Sequence, residues 1–407
     1  MSPILNSLIQ SVRRGLDMLR FLTAGESHGK CLTGMLEGMP RGLAIDLDFI
    51  NLQLHRRQLG HGRGGRMKIE RDEIEITSGV RHGYTLGSPV AFTICNKDWN
   101  QWQEAMAVEP LSERAVLRTV TRPRPGHADL AGALKFQTRD IRDVLERASA
   151  RETAARVAVG AFCRLMLANF GIRIGSHVIA IGKERVAPEF ENPPSQTIFD
   201  LNPESPIRCA DPAAEKRMVA LIDVAEKAGD TLGGCIEAVA ASVPPGLGSH
   251  TQWDRKLDGQ LAQAIMSIPS VKAVEIGCGI DGAACLGSAV HDEIFYNAYA
   301  KRFFRKTNRA GGVEGGISNG EHIRVRVHVK PIPTLRKPLA SVDIESKQAF
   351  EAIVERSDVC IVPAAGVIAE AMMGIVLANA LLEKLGGDSI GEIEANFANY
   401  IRLLEQY

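Results

Sequence analysis

The chain has 407 residues, of which 45% are hydrophobic and 24% are charged, so it has enough apolar material for a globular core. Lysine and arginine number 48, aspartate and glutamate also number 48, and the formal net charge at pH 7 is zero. Overall charge therefore gives no support for binding to DNA or to an anionic membrane, and any anion site must be local.

The eight cysteines are scattered without a C-x-x-C pair, which predicts neither a metal site nor a disulfide framework and fits the cytoplasm. Residues 1–17 lack the apolar segment and cleavage site of a secretory signal, and a strand pattern begins at Met18. We expect an N-terminal tail over residues 1–17, explained by an upstream translation start, and one domain over residues 18–407. The proline-rich segment from Pro188 to Pro212 is the best linker candidate, although a long excursion from one domain explains it equally well.

A short strand is predicted at Leu19–Ala24, followed by the glycine turn Gly25–Gly29. The turn has the form G-x-S-x-G, the nucleophile elbow of α/β-hydrolases, which requires a strand before it and a helix after it. The second condition fails, because Cys31–Pro40 contains two glycines and a proline. Two interpretations of Ser27 and His28 stay open: polar groups without a role, or a proton-donating pair beside a leaving group.

A helix is predicted at Asn51–Arg57, and a loop rich in glycine and arginine then runs to Arg66. Its glycines free the backbone, while its arginines supply forked donors suited to phosphate or carboxylate. Such runs also occur in disordered RNA-binding segments. The strand pattern at Lys68–Ser78, directly afterwards, favours an ordered loop inside a domain. Farther along, we predict a strand at Pro89–Cys95 and interpret Trp102 as part of a packed surface corner.

The segment Arg122–Asp129 is predicted to be a stiff turn, because two prolines fix φ and a glycine permits a sharp reversal. It presents His127 on a rigid corner, as a working imidazole is usually held. The apolar residues from Val144 to Met166 recur at helical spacing and predict one helix with one buried face. At the start of this helix, Ser149 and free backbone N–H groups are suited to an anion.

The second half of the chain alternates strand and helix patterns. We predict strands at Ile172–Ile181, Cys235–Val243 and Ile323–Val329, helices from Pro212 to near Gly229 and from Leu257 to Ile268, and a capping box at Ser389 and Glu392. Glycine pairs on both sides of Glu314 indicate a backbone that lies close to a flat or phosphorylated ligand, and a flexible surface loop is the alternative.

A long apolar helix is predicted from about Gly366 to Leu385. Its uncharged core, Ala371–Leu382, is too short to span a bilayer and predicts a buried helix. Arg356 and Asp358 precede the helix, where such a pair is most often a structural salt bridge. The pair is of functional interest only if it faces the same pocket as the two histidines named above.

Six separated motifs, in chain order, closely resemble those of chorismate synthase. They are Gly25–Gly29, Arg57–Met67, Arg122–Asp129, Arg147–Thr153, Gly311–Gly320 and Arg356–Met373. The resemblance runs in register from about Met18 to near the C-terminus. It implies an α+β fold, a β-α-β sandwich of antiparallel sheets with helices, and a homotetramer.

The resemblance also implies a reaction. Chorismate synthases convert 5-enolpyruvylshikimate 3-phosphate to chorismate and phosphate by a 1,4-anti elimination that requires reduced FMN, in the shikimate pathway to aromatic amino acids. The substrate carries a phosphate and two carboxylates, which explains a local arginine-rich site in a neutral chain. NADPH is implied only if the enzyme also reduces its own flavin, and neither a nucleic acid nor a membrane is implied as a partner.

The resemblance assigns catalytic roles to five side chains. His28, backed by Ser27, would neutralise the departing phosphate. His127 would lie near the flavin pyrimidine ring and help set its protonation state. Asp358 would be the carboxylate near flavin N5 that relays the substrate proton, and Ser149 would serve both substrate chemistry and the cofactor.

Cofactor contacts are implied by the same motifs. They fall on Arg147, Ala148, Ser149, Pro269, Ser270, Gly315, Lys330, Pro331, Ile332, Pro333, Thr334 and Arg356. Arg57 and Arg63 match an arginine pair of the family that contacts an anion or NADPH, and they could equally hold substrate. Pro269 and Ser270 stand where many members have Asn-Ala, so a backbone contact would survive there and a side-chain contact would not. Asp343 is a second acidic candidate with less support.

Two other functions remain as alternatives. A serine hydrolase would act through Ser27, but the helix after the elbow is missing. An RNA-binding protein would use the Arg57–Arg66 loop, but the neutral net charge and the ordered surroundings of the loop argue against it.

Overall fold

Two antiparallel sheets enclose a layer of helices. The structure, a computed structural model, describes residues 18–64, 71–110, 118–353 and 358–407. The strands are β1 (Arg20–Ala24), β2 (Cys31–Glu37), β3 (Glu75–Ser78), β4 (Val80–Arg81), β5 (Tyr84–Thr85), β6 (Val90–Cys95), β7 (Arg173–Ile181), β8 (Glu184–Arg185), β9 (Gly234–Ala241), β10 (Val271–Ile276), β11 (Ile294–Asn297), β12 (Arg302–Arg305), β13 (Val313–Glu314), β14 (Ile317–Ser318), β15 (Ile323–Val329), β16 (Ala340–Val342) and β17 (Ala349–Glu351). The helices are α1 (Leu47–Gln58), α2 (Asp129–Phe136), α3 (Arg142–Ala148), α4 (Thr153–Ala168), α5 (Ser195–Phe199), α6 (Pro212–Ala228), α7 (Leu257–Met266), α8 (Gly279–Gly282), α9 (Gly287–Val290), α10 (Val362–Leu385) and α11 (Ile390–Gln406).

The first sheet has the strand order β1-β2-β6-β3. Its inner face is apolar at every second residue, as the pleat requires, with Leu32 and Leu36 of β2 facing Phe92 of β6 in the core. A Cβ at Gly34 would lie 2.1 Å from the Phe92 ring, so the glycine makes room for this side chain. Helix α4 packs on this face, and α1 packs on α4.

The second sheet has the order β10-β15-β9-β7-β8, and α10 packs on β7 and β9. In β15 the residues that alternate with the buried valines are buried as well: Arg324 and Arg326 both contact Glu237 of β9. The face of β15 that carries these two arginines is therefore paired with β9. Helix α10 also packs on α4, and this contact joins the two halves of the sandwich.

Helix α10 is the central core element. Among the described residues it alone is long and apolar enough to cross a membrane, but its most apolar window is 94% buried inside the protein. It behaves as the core helix of a globular protein. The predicted buried helix is confirmed, although it starts at Val362, four residues before the predicted position, with Pro363 in its first turn.

One carboxylate lies inside this helical layer. Glu370 of α10 is fully buried and accepts two hydrogen bonds from Arg56 of α1, each 2.8 Å long. Arg164 of α4 and Arg208 donate to it over 2.9 and 3.2 Å, and the Ser176 hydroxyl of β7 over 2.7 Å. Burial alone would raise the pKa of Glu370, but the three arginines outweigh burial and lower it to about 2.

Much of the predicted secondary structure is confirmed. Strands β1, β6, β7 and β9 lie within one or two residues of their predicted bounds, and α6 begins at Pro212 under an Asp211 cap. Ser389 and Glu392 form the predicted capping box. The segment after Gly29 is strand β2, so the elbow helix of a hydrolase is absent there.

Two predicted elements are wrong in extent. The apolar pattern from Val144 to Met166 belongs to two helices, because Ser149 is extended with ψ of 140° and separates α3 from α4. Helix α4 is also buried on most of its circumference, so it has more than one buried face. The strand predicted at Lys68–Ser78 covers only β3 within the described residues, since Asp72 leaves the ladder for a buried ion pair.

Gly160 in α4 tests the contact between the two central helices. A Cβ there would lie 2.4 Å from Cβ and 2.5 Å from Cα of Ala371 in α10. We expect Gly160→Ala to lower the free energy of unfolding by about 1–3 kcal/mol, because the helices must separate to accept one methyl group. Gly391→Ala is the matched control, since nothing lies within 4 Å of a Cβ at that helical position. Equal shifts of the thermal midpoint in both variants would contradict the tight contact.

Glu370 predicts a specific pH dependence of stability. Its folded pKa is depressed from 4.5 to about 2, so its contribution is complete above pH 4.5 and is lost as the pH falls toward 2. The shift corresponds to about 3 kcal/mol of the free energy of unfolding. We expect this part of the acid destabilisation to vanish in Glu370→Gln, measured by denaturant unfolding between pH 5 and 3. Glu383→Gln on the same helix, where Glu383 pairs with Arg255 at the surface, should keep the wild-type dependence. Parallel stability curves for wild type and Glu370→Gln would overturn the assignment.

Candidate active site

His28 is fixed by a buried carboxylate. Glu146 of α3 accepts from the His28 backbone N–H over 2.8 Å, and its two oxygens lie 2.9 and 3.0 Å from His28 Nδ1. The Glu146 side chain is 1% exposed and the His28 side chain 16%. Burial alone would raise the pKa of Glu146, but the His28 hydrogen bonds and the charge of Arg142 lower it, so the carboxylate is ionised. An ionised carboxylate only accepts, so Nδ1 is the donor and the carboxylate fixes the orientation of the imidazole ring.

An aromatic ring completes the His28 environment. The Trp102 ring stacks on the imidazole with centroids 4.0 Å apart and an angle of 23°. The guanidinium groups of Arg118 and Arg142 lie 4.0 and 5.0 Å from the Trp102 ring, and Arg142 also donates to Glu146 over 2.9 Å. The interpretation of Trp102 as a packed surface corner is therefore wrong, because its ring is buried against the candidate histidine.

Ser27 and Ser149 come together beside His28. The Ser149 hydroxyl donates to the Ser27 hydroxyl over 3.2 Å and accepts from the Arg151 backbone N–H over 3.3 Å. The Ser27 backbone N–H donates to the Glu146 carbonyl. Residues about 120 positions apart in sequence are thus adjacent, since the extended Ser149 between α3 and α4 reaches the glycine turn after β1.

A buried arginine pair lies behind the serines. The Asp72 carboxylate accepts from Arg151 over 2.6 Å and lies 3.6 Å from Arg57. Arg57 also donates to the Ala150 carbonyl and to the Thr153 hydroxyl, both over 2.9 Å. Burial, together with the positive charges of Arg151 and Arg63, lowers the pKa of Arg57 to about 10 despite Asp72. Arg57, Arg151 and Arg63 stand against two carboxylates, Asp72 and Asp358, so positive charge exceeds negative charge here.

The described part of the glycine and arginine loop, Arg57–Gly64, contacts the segment that leads into α10. Arg63 pairs with Asp358 over 3.0 Å, and the Gly64 backbone N–H donates to the same carboxylate over 2.6 Å. The Val359 backbone N–H donates to the Gly62 carbonyl over 2.7 Å. Asp358 therefore lies near the buried arginines around Asp72, and its charge acts on Arg57.

His127 belongs to a second group, built on the Arg122–Asp129 turn. Its Nδ1 lies 2.5 Å from Asp129, a fully buried carboxylate that also accepts from Arg124 over 2.8 Å. Burial opposes ionisation of Asp129, but His127 and Arg124 outweigh it and depress its pKa well below the usual range. Nδ1 is therefore the donor to Asp129, as it is in His28, while Arg124 Nη2 lies 3.5 Å from Nε2.

The extended Lys330–Thr334 segment packs on this second group. Arg124 donates to the Thr334 hydroxyl over 3.0 Å, and the Lys330 ammonium donates to the Gly126 carbonyl. The Lys330 backbone N–H donates to the Ser270 carbonyl over 2.9 Å, so Ser270 contacts the group through its backbone. Burial and the neighbouring charge of Lys272 lower the pKa of Lys330.

Three other residues that the motifs suggested, Gly315, Arg147 and Asp343, lie at separate places in the structure. Gly315 and Gly316 form the two-residue turn of the β13–β14 hairpin, both with positive φ, and nothing lies within 4 Å of a Cβ at Gly315. Arg147 donates to the carbonyls of Thr23 and Gly25 at the end of β1. Asp343 accepts from the Thr121 hydroxyl over 2.6 Å, a contact that, with the Ser346 backbone N–H, lowers the pKa of Asp343 to about 2.

Comparison with known proteins decides the family. The family model for chorismate synthase matches residues 19–382. A chorismate synthase of Geobacter sulfurreducens is 54% identical over 396 residues, which cover 96% of this chain and 100% of that protein. A chorismate synthase of Aquifex aeolicus is 53% identical over 398 residues, with the same coverage. A crystal structure of chorismate synthase superposes with a TM-score of 0.77 at 44% identity, covering 96% of this chain and 99% of that chain.

The chain belongs to the chorismate synthase family. The predicted family, the predicted lyase class and the place in aromatic amino acid biosynthesis are therefore confirmed. The predicted α+β fold with antiparallel sheets is confirmed too, by the topology and by the chorismate synthase structure. The hydrolase and RNA-binding alternatives gain no support from these comparisons.

The structure sorts the residues that the chorismate synthase motifs suggested. His28, Ser27 and Ser149 lie together, and Arg57 is joined to them because it donates to the Ala150 carbonyl. Arg63 and Asp358 pair with each other, and the charges of both act on Arg57. The structure joins His127 with Lys330, Thr334 and Ser270 in the second group. Arg356 and residues 1–17 lie outside the described residues.

Sequence reasoning missed several partners of these residues. Glu146 and Trp102, which hold His28, were not among the candidates, and neither was Asp72 or Asn96. The Asn96 side chain donates to the Gly29 carbonyl over 2.7 Å and accepts from Arg151 over 2.9 Å, so it connects the glycine turn to Arg151. The i,i+4 spacing of Arg142 and Glu146 could have indicated that pair, but no local pattern links either residue to His28.

Glu146 should act through His28. We expect Glu146→Gln, which keeps the shape and removes the charge, to lower kcat by about 10- to 100-fold with little change in KM, because the imidazole loses its anionic acceptor. The alkaline limb of the pH–rate profile should also move, because this limb reports the group that must be protonated for turnover. Steady-state kinetics across pH, with circular dichroism as a check on folding, measure this.

Glu275→Gln is the matched control for that experiment. Glu275 is also a buried carboxylate beside a histidine, 3.8 Å from His328, but it lies in the five-stranded sheet. Equal kcat and equal pH profiles in the two variants would show that Glu146 has no role in positioning His28.

Proposed function

We propose that this chain releases phosphate from 5-enolpyruvylshikimate 3-phosphate by 1,4-anti elimination to give chorismate, with reduced FMN as cofactor and with His28 and His127 as its working imidazoles. The observation that carries the proposal is that each of these two histidines donates through Nδ1 to a buried carboxylate. Both imidazoles are thereby oriented by a buried carboxylate. Family membership supports the reaction class.

His28 holds the proton for the leaving group. Departing phosphate is a poor leaving group until its charge is neutralised, and an imidazole held against an ionised carboxylate can carry a proton at Nε2 for this purpose. Trp102 covers one face of the ring and excludes water from it. The Ser27 and Ser149 hydroxyls add neutral donors beside the imidazole.

The arginine groups bind the anionic substrate. The surplus positive charge around Asp72 suits the substrate's phosphate and carboxylates, since three arginines there stand against two carboxylates. We assign Arg57 and Arg63 to the substrate or to an NADPH phosphate. Asp358 is the proposed acceptor of the substrate proton, and Arg63 together with Gly64 orients its carboxylate.

The residues of the second group fit FMN. Lys330 and Lys272 lie close enough for repulsion to lower the pKa of Lys330, and a cofactor phosphate would offset this repulsion. The open space beside Gly315 leaves its backbone accessible to a flat ring. We assign to the cofactor Lys330 to Thr334, Ser270 through its backbone, Gly315, Arg356 and the Arg147–Ser149 segment. Reduced FMN, when bound, supplies the transient electron donation that lets the C–O bond break.

We further propose a homotetramer in the cytoplasm. All eight cysteines are free thiols, as expected in a reducing compartment. The β11–β12 ribbon exposes Ile294, Tyr296 and Phe303 by half or more, which suits a contact between subunits.

Phosphate release under strict anaerobiosis tests the reaction. The four conditions are no flavin, oxidised FMN, dithionite-reduced FMN, and FMN with NADPH. We expect release with reduced FMN, and release with NADPH as well would add an intrinsic flavin reductase. Release under none of these conditions, from folded protein, would contradict the proposed reaction.

Histidine variants test the site. We expect His28→Ala to lower kcat by about 100-fold or more while FMN binding, followed by fluorescence, stays unchanged. His127→Ala should lower turnover and weaken FMN binding together. His250→Ala, at an exposed position, is the control and should match wild type. Unchanged turnover in both His28→Ala and His127→Ala would overturn the site assignment.

A further inference from the structure

A cavity of about 460 Å³ lies on the side of α1 opposite the candidate active site. Its wall comes from α1, α4, β7, α5 and the segment that follows α5. Arg57, on the other side of α1, faces Asp72 and the serines, whereas its neighbour Arg56 lines the cavity. The cavity volume is in the range of small-molecule sites.

The polar end of the cavity carries surplus positive charge. Arg56, Arg164 and Arg208 all line it, and they share the single carboxylate of Glu370. Their side chains are 17%, 12% and 16% exposed, so water screens the surplus only in part. Burial and mutual repulsion lower the pKa of Arg164 and of Arg208 to about 10 despite Glu370. One more anion would be stabilised here.

Arg208 has donor capacity left for such an anion. Its Nη2 donates to Glu370 and to the Ser176 carbonyl, both over 3.2 Å. Its buried Nε has no hydrogen-bond partner among the described residues. A buried donor without an acceptor is costly, and a ligand carboxylate would satisfy it.

The rest of the cavity is mainly apolar, although Gln53, His55, Arg173, Ser205 and the exposed Glu204 also line it. Phe49, Leu52, Ile198, Phe199 and Leu201 are among its lining residues, and Leu52 is 50% exposed at the rim. The Arg173 guanidinium lies 4.3 Å from the Phe199 ring. Such a wall suits the body of a ligand with one charged end better than it suits inorganic phosphate, which has no apolar surface to bury.

We propose that this cavity binds an aromatic monocarboxylate, with the carboxylate on Arg208 and its neighbouring arginines and the ring against the Phe49 and Phe199 wall. The proposal is independent of the reaction proposed above, because none of its lining residues is assigned to that reaction.

Calorimetric titration with 3-phenylpropionate, its neutral amide and inorganic phosphate tests the proposal on the full chain. We expect the acid to bind wild type at least tenfold more tightly than either the amide or phosphate. Arg208→Gln should weaken the acid at least tenfold and leave the amide unchanged, because Arg56 and Arg164 still hold Glu370. Leu52→Glu is a second variant at an exposed position, and its charge should repel the acid.

Two arginine controls locate the binding. Arg217→Gln removes a surface arginine that pairs with Glu184, and it should bind the acid like wild type. Arg63→Gln alters the candidate active site and should also leave the acid affinity unchanged. The proposal is overturned if wild type binds no acid up to about 10 mM, a concentration above millimolar Kd values. It is also overturned if phosphate or the amide binds as tightly, or if only Arg63→Gln weakens the acid.

Discussion

The packing of the helical layer depends on one buried carboxylate. An ionised Glu370 without partners would be strongly destabilising inside the core, so α10 can occupy its place only if Arg56, Arg164 and Arg208 reach it. These arginines come from α1, α4 and the segment after α5. The ion cluster therefore fixes how three elements sit around the central helix, while the apolar contacts of α10 with α4 and the second sheet supply the burial.

The same arrangement, a buried carboxylate with several cationic partners, recurs in the candidate active site. Asp72, Glu146 and Asp129 are buried, and each has at least two cationic or imidazole partners. Each carboxylate orients its partners but cannot neutralise all of them. A chain with a net charge of zero can thus present local positive potential to an anionic substrate and an anionic cofactor, and it does so without the self-repulsion that a large overall charge brings to the folded state.

Sequence reasoning succeeded where the physical cause is local. The start of α6 at Pro212, the capping box at Ser389 and strand β15 depend on residues a few positions apart, and all are found. It failed where the cause is distant. Glu146 contacts His28 across 118 positions and Arg56 contacts Glu370 across 314, so no local spacing in the sequence indicates either pair. The break between α3 and α4 was missed for the same reason, since Ser149 is extended to reach Ser27. The family motifs recovered the histidines, the serines and the arginines, but not the carboxylates that hold them.

Helix α1 connects these two kinds of ion cluster. Successive residues on a helix point about 100° apart, so Arg56 and Arg57 lie on different faces of the same turn. Arg56 joins Glu370 and the cavity, whereas Arg57 joins Asp72 and the segment that carries Ser149. Gly60 and Pro363 line the cavity, and they lie a few residues from Arg63 and Asp358, which pair with each other. Any displacement of α1 that accommodates a ligand in the cavity must therefore also move the arginine that faces the proposed substrate site, because both side chains belong to one rigid turn.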